Sequence, residues 1–472
     1  MRRKTILWLL AALSVAGSAS GEGFPRGEIV DPVTTIHESS ETFALYLPST
    51  YDPARRWPIL FVLDPRSRGR LGAELFREAA ERFGYILISS NSTRSDVSPE
   101  EDPNARAMVA LLQDAMTRFA ADEKRVYLAG FSGTARYAWS VGFGIKGKVA
   151  GIIACGGALP GPLEKWGDVD FDLFGTAGEF GFNYREMRFL DDALDATAIT
   201  HRFAFFPGGH QWAPPEVLGE ALAWFELHAM RAGTRARDDT LIAELHAAGA
   251  GAAQELEAEG DLYAAFRRWD QLAADFEGLR DVSTARRNAA RLAELPEVRA
   301  EGEAIRAAVD REIAYRQKLD AVLARIEIQH PIPPLPAVVA QLEIPRLLKQ
   351  AEGDSIAAHS ARRQLESVFV HTAFYAPRRF RRTGDNERAV LLLKVATAVK
   401  PDHWRPWYAL ATTYAGMGRT SKSVAALEHA VERGFSDLAT LEQDADLEPI
   451  RKEKGFRRIV ATLRGRQPPA ED

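Results

Sequence analysis

The sequence predicts an α/β domain with a mostly parallel sheet, followed by an all-α domain. Between residues 41 and 212, short β-rich runs alternate with helical patterns, as strands joined by crossover helices do. Past Thr234 the β-branched runs stop and Ala, Leu, Glu and Arg dominate, so the remainder reads as helix. Near the end, residues of matching size recur at an interval of 34, a period typical of stacked helix pairs.

At 472 residues the chain is longer than one core sustains, so more than one domain is expected. A hydrophobic share of 46% with 26% charged residues fits folded globular protein rather than disorder. The net charge of −5 leaves no surplus of Lys and Arg to neutralise a phosphate backbone, which argues against a nucleic-acid partner.

The N-terminus opens with basic Met1-Arg2-Arg3-Lys4, an apolar run from Ile6 to Ala16, and small residues from Gly17 to Gly21. This is the pattern of a secretory signal peptide over residues 1–20, which predicts a periplasmic or secreted protein. The run is shorter than the ~20 residues of a membrane span, so no span is expected after cleavage. Cys155 is the sole cysteine and excludes an intramolecular disulfide.

The strands follow in order. Phe43 to Leu47 and Ile59 to Leu63 come first, the second an unbroken apolar run suited to a sheet covered on both faces. Tyr85 to Ser89 is a strand, Asn104 to Phe119 an amphipathic helix, and Val126 to Gly130 the next strand. Val149 to Cys155, Phe171 to Thr176 and Arg202 to Phe206 continue the sheet, and a helix from Val217 to Ala229 closes a domain spanning 28–231. A helical spacer is expected over 235–345, interrupted at Ile332-Pro333-Pro334-Leu335-Pro336, where proline ends helices.

Gly130-Phe131-Ser132-Gly133-Thr134-Ala135 joins the Val126 strand to a helical pattern. A serine on such a turn resembles the nucleophile elbow of the α/β-hydrolase superfamily. Close packing of helix on strand demands small residues two before and two after the serine. Gly130 meets that demand, whereas Thr134 stands where glycine is usual. Phe206-Pro207-Gly208-Gly209-His210-Gln211-Trp212 follows the last strand, on a Gly-rich loop from which an imidazole can reach Ser132. His210 is therefore the candidate general base; His228 and His246 sit in helical stretches, and His429 lies within a repeat.

Together with Trp57-Pro58 and Asp64-Pro65-Arg66, these motifs look like the secreted esterase branch of the superfamily, similar to polyhydroxybutyrate-depolymerase-like and feruloyl-esterase-like proteins. The resemblance implies a Ser-His-acid triad without cofactor or metal. It places the acid on the loop after the Phe171 strand, where similar hydrolases show Asp-Phe-Asn-Tyr; here the first of these positions is Gly181, and Glu179 is the nearest carboxylate. It also implies an oxyanion hole built from the N–H of Gly133 and, because Pro65 has none, that of Arg66. The implied substrate is a small-molecule or polymeric ester.

In the helical half, Phe380 pairs with Tyr414, Gly384 with Gly418, Ala389 with Ser423, Leu393 with Leu427 and Ala396 with Ala430. The spacing of Trp407, Leu410, Ala411, Tyr414, Gly418, Leu427 and Ala430 resembles a tetratricopeptide repeat within a domain over 360–465, which implies a groove for a protein or peptide partner. The first copy departs from the pattern at Ala373 and Pro377. Two functions follow as expectations. One is an exported ester hydrolase. The other is a hydrolase-fold scaffold impaired at Thr134 and Gly181, whose repeats recruit a partner.

Overall fold

The structure, a computed structural model, describes residues 21, 23–95, 103–161 and 169–466. The expected signal peptide over 1–20 lies outside the described residues. Internal contacts divide the chain into two compact units, one ending at Arg306 and the other beginning at Ala307.

The first unit is built on eight strands: β1 (Ile29–Thr34), β2 (Thr42–Tyr46), β3 (Trp57–Leu63), β4 (Ile86–Ser90), β5 (Ala121–Phe131), β6 (Gly151–Cys155), β7 (Asp172–Gly178) and β8 (His201–Phe206). They form one sheet in the order β1-β2-β4-β3-β5-β6-β7-β8. β2 runs antiparallel to both of its neighbours, and every other pairing is parallel.

Side chains alternate across a strand, and β3 shows the result. Ile59, Phe61 and Leu63 point into a core with Leu111 and Trp139, while Leu60 and Val62 point into another with Phe76 and Phe225. A fully covered central strand has no polar face, which is why its sequence is an unbroken apolar run. β1 lacks that pattern because it is an edge strand. It carries Pro32, and its pairing with β2 is irregular between Val30 and Val33, a disruption that an edge tolerates. The helix Gly69–Phe83 completes the crossover from β3 to β4, an element the strand alternation requires without locating.

Strand order runs outward in opposite directions from the neighbours β3 and β5. Such a reversal opens a crevice above the carboxyl ends of the strands, where ligands of α/β sheets bind. Leu63 and Gly130 lie opposite each other there.

The first unit continues past the helix Pro215–Arg231 through three more helices, Asp239–Glu259, Leu262–Phe276 and Ser283–Ala293. Asp275 fastens the second of these. It accepts the Trp224 indole N–H at 2.8 Å and pairs with Arg202 of β8.

In the second unit the positions 34 residues apart occupy equivalent places. Phe380 and Tyr414 are buried, as are Ala389 with Ser423, Leu393 with Leu427 and Ala396 with Ala430. Gly384 (φ 79°) and Gly418 (φ 69°) make the left-handed turns that lead into the helices Asn386–Val399 and Thr420–Glu432. Where the first copy departs from the pattern, His371–Tyr375 widens into a π-helical turn just before Pro377. Proline cannot donate the next helical hydrogen bond, and the wider turn absorbs the mismatch. Pro333 and Pro334 fall between the helices Pro296–Ile328 and Leu335–Gln341. Among the described residues, no helix is long and apolar enough to cross a membrane.

Glu226, on the helix Pro215–Arg231, has no exposed side-chain surface. It is bound by the Tyr85 hydroxyl at 2.5 Å and by the guanidinium groups of Arg125 and Arg235. Removing one member of such a group leaves the others buried without their partner. Glu226→Ala is expected to lower stability by about 3–5 kcal/mol, read as a fall in the urea midpoint; an unchanged midpoint would contradict this role.

Candidate active site

Ser132 stands between β5 and the helix Gly133–Gly144 with φ 57° and ψ −119°. This is a strained backbone for a residue with a Cβ, and such strain persists only where the surroundings over-determine it. Several contacts do so. The Ser132 N–H donates to Cys155 O at 2.8 Å, and Ser132 O accepts the Arg136 N–H at 3.3 Å. A Cβ at Gly130 would lie 2.6 Å from the Thr134 carbonyl carbon and 2.7 Å from Ala135 Cα, so only glycine lets the helix come this close.

Thr134, where the superfamily resemblance leads one to expect glycine, is fully buried. Its hydroxyl accepts the Phe131 N–H at 3.2 Å and reaches the carbonyl oxygens of Leu63 and Phe131. The departure from the usual motif thus ties the elbow to the end of β3 instead of loosening it.

His210 arrives on the loop after β8. Its Nε2 lies 2.9 Å from Ser132 Oγ, a hydrogen-bond distance across 78 positions of sequence. The loop is fastened to the end of β7, where Glu179 N–H donates to Phe206 O at 2.9 Å and Phe180 N–H to Gly208 O at 2.8 Å. A Cβ at Gly178 would lie 2.7 Å from the Gly208 carbonyl carbon, so this glycine makes room for the crossing.

The imidazole is held between two aromatic rings, with centroids 4.6 Å away at Phe131 and 4.5 Å away at Phe182. Burial, and then the charges of Arg136 and Arg66, push its pKa down to about 4. All three influences oppose protonation. Glu179, expected to orient the ring, follows β7, and its backbone N–H joins this loop to the His210 loop. Gly181 lies under the His210 loop, where a Cβ would be 3.3 Å from the Gly209 carbonyl group.

Asp64, at the end of β3, belongs to the Asp64-Pro65-Arg66 motif, which gave it no role of its own. It is fully buried and accepts the Arg66 N–H at 2.8 Å, the Arg68 guanidinium at 2.9 and 3.0 Å, and the Trp212 indole N–H at 2.9 Å. Burial alone would raise its pKa, but these donors outweigh it and hold the carboxyl below its ordinary range. Trp212 lies two residues past His210, so Asp64 anchors the histidine loop to β3. The same bonds correct one expectation: the Arg66 N–H, taken as an oxyanion donor, is already committed to Asp64 Oδ1. Gly133 begins the helix after Ser132, where the first N–H groups have no intrahelical acceptor.

Phe131, Phe182 and Asp64 lie within the motifs quoted above and Arg136 outside them, but the role of each depends on contacts that only the folded chain creates. Asp191, Asp195 and His201 bring ligand-type atoms within 4.8 Å of one another. There Arg267, 3.3 Å from Asp191, already supplies positive charge.

No protein-family model matches this chain, and no curated protein does. Among solved structures, the S-formylglutathione hydrolase of Staphylococcus aureus aligns over 43% of this chain and 98% of its own, at 14% identity and a TM-score of 0.34. A ferulic acid esterase aligns over 41% and 94%, at 16% identity and 0.34. A hyperthermophilic esterase from the archaeon Pyrobaculum calidifontis aligns over 48% and 91%, at 13% identity and 0.34. These neighbours are esterases and serine hydrolases.

Asp64→Ala strands the Trp212 indole and frees the histidine loop. A loss of roughly 2–3 kcal/mol is expected, measurable by urea unfolding, together with a change in Trp212 fluorescence. Wild-type stability in the variant would refute the anchoring role.

Proposed function

We propose that this chain is a serine hydrolase of carboxylic esters, with Ser132 as nucleophile and His210 as general base. The observation that carries the reading is the 2.9 Å approach of His210 Nε2 to the hydroxyl of a serine on a strained strand-to-helix turn. Ser132 Oγ attacks the carbonyl carbon while its proton passes to Nε2, and the carbonyl π pair becomes an oxyanion facing the Gly133 N–H. Collapse expels the alcohol, which takes the proton from His210. Water then repeats the sequence on the acyl-enzyme.

In this reading Glu179 is the acid of the triad, and the rings of Phe131 and Phe182 help to orient the imidazole. We further propose that residues 1–20 direct export, and that the 34-residue units act as tetratricopeptide-like repeats binding a protein or peptide. A second reading, an impaired hydrolase-fold scaffold, is favoured by one observation. The charges of Arg136 and Arg66 act on His210 and disfavour the imidazolium that must form during turnover.

A fluorophosphonate probe is expected to label the wild type and to spare Ser132→Ala. Folded wild type that resists labelling would favour the scaffold.

The pH dependence separates the readings further. Catalysis needs neutral His210, and a depressed pKa keeps it neutral to lower pH. For p-nitrophenyl acetate, kcat/KM is expected to stay level at neutral pH and to fall only as pH drops through about 4. An acid limb near the ordinary histidine value of about 6.5 would contradict this account of the base.

A further inference from the structure

The oxyanion site inherits a deficit. Gly133 offers one backbone N–H, but the second expected donor, the Arg66 N–H, is spent on Asp64. The chain places another hydroxyl beside Gly133. A Cβ on Gly133 would lie 2.9 Å from Ser95 Cβ and still closer to Ser95 Oγ, so the Ser95 side chain fills the space over this glycine. Ser95 Oγ is buried and, among the described residues, has no hydrogen-bond partner. Buried hydroxyls without partners are rare in folded proteins, and those that persist need a reason.

We propose that Ser95 is a catalytic residue of the serine-hydrolase reaction, its hydroxyl donating to the substrate oxyanion alongside the Gly133 N–H. This inference rests on the proposed roles of Ser132 and His210. Ser95 follows β4, and its side chain meets Gly133 at the carboxyl end of β5. An O–H group waiting without an acceptor is suited to an oxygen that becomes strongly basic only as Ser132 adds to the carbonyl. When the tetrahedral intermediate collapses and the C=O bond re-forms, the acceptor weakens and Ser95 keeps its own proton throughout.

Its backbone is held in advance. Ser95 N–H donates to Pro65 O at 3.0 Å. The Asn104 side chain clamps the preceding residue twice, accepting the Arg94 N–H and donating to Arg94 O, each at 2.8 Å. Thr93 Oγ1 donates to Asp64 O at 3.0 Å, and Ser67 N–H to Thr93 O at 3.0 Å. A donor fixed before the reaction needs little reorganisation as charge develops, which is where electrostatic catalysis gains its advantage.

The test compares Ser95→Ala with wild type, using p-nitrophenyl acetate as substrate and a trifluoromethyl ketone as oxyanion-forming inhibitor. Loss of one oxyanion donor is expected to lower kcat by about 10²–10³-fold, with KM little changed. Affinity for the ketone should fall along with kcat. The melting temperature should hold or rise, because the substitution removes an unpartnered buried hydroxyl. A merely structural serine would show the reverse, a lowered melting temperature with kcat intact. If turnover is abolished by Ser132→Ala yet Ser95→Ala leaves kcat and ketone affinity at wild-type values, the inference is overturned while the hydrolase reading stands. If wild-type turnover does not depend on Ser132, both fall together.

Discussion

The strained turn at Ser132 is the constraint around which the sheet unit is organised. A residue with a Cβ held in that conformation costs on the order of 1–3 kcal/mol. Against it stand the hydrogen bonds from Ser132 N–H to Cys155, from Phe131 N–H to the Thr134 hydroxyl, and from that hydroxyl toward Leu63. At about 1 kcal/mol each, three such bonds suffice to offset the strain. The close approach of the helix, which only Gly130 permits, adds packing to the same end. The serine is presented at the sheet edge because everything beneath it is fixed.

Asp64 extends that rigidity to the rest of the crevice. One buried carboxylate gathers the Arg66 backbone, the Arg68 guanidinium and the Trp212 indole, and its carbonyl oxygen accepts the Thr93 hydroxyl. The ends of β3, β4 and β8 are thereby coupled. Burial of a charge is costly in isolation, but here every oxygen is met by donors, so the pull of the hydrogen bonds exceeds the desolvation penalty. The histidine loop, the loop that carries Ser95 and the elbow share this one anchor.

Aromatic rings and arginines make up much of the surroundings of His210. A carboxylate beside the ring would raise its pKa and stabilise the imidazolium. Here two phenyl rings fix its plane while burial and two arginines lower its pKa. The imidazole is well placed and neutral over a wide pH range, but it is a weaker base.

The strand alternation, the Gly-rich turns at Ser132 and His210, and the 34-residue interval are legible in sequence because each is a local pattern set by pleat, turn or helix geometry. β1 is not legible, since an edge strand with a proline needs no apolar period. Sequence alone therefore determined that a serine hydroxyl and a histidine imidazole would stand at the carboxyl ends of the strands. Tertiary structure decided what surrounds them: the commitment of the Arg66 N–H to Asp64, the stacking of Phe131 and Phe182 on His210, and the meeting of Ser95 with Gly133. Each depends on loops from different strands converging above one crevice, and no local pattern encodes the distance between residues that only the folded sheet brings together.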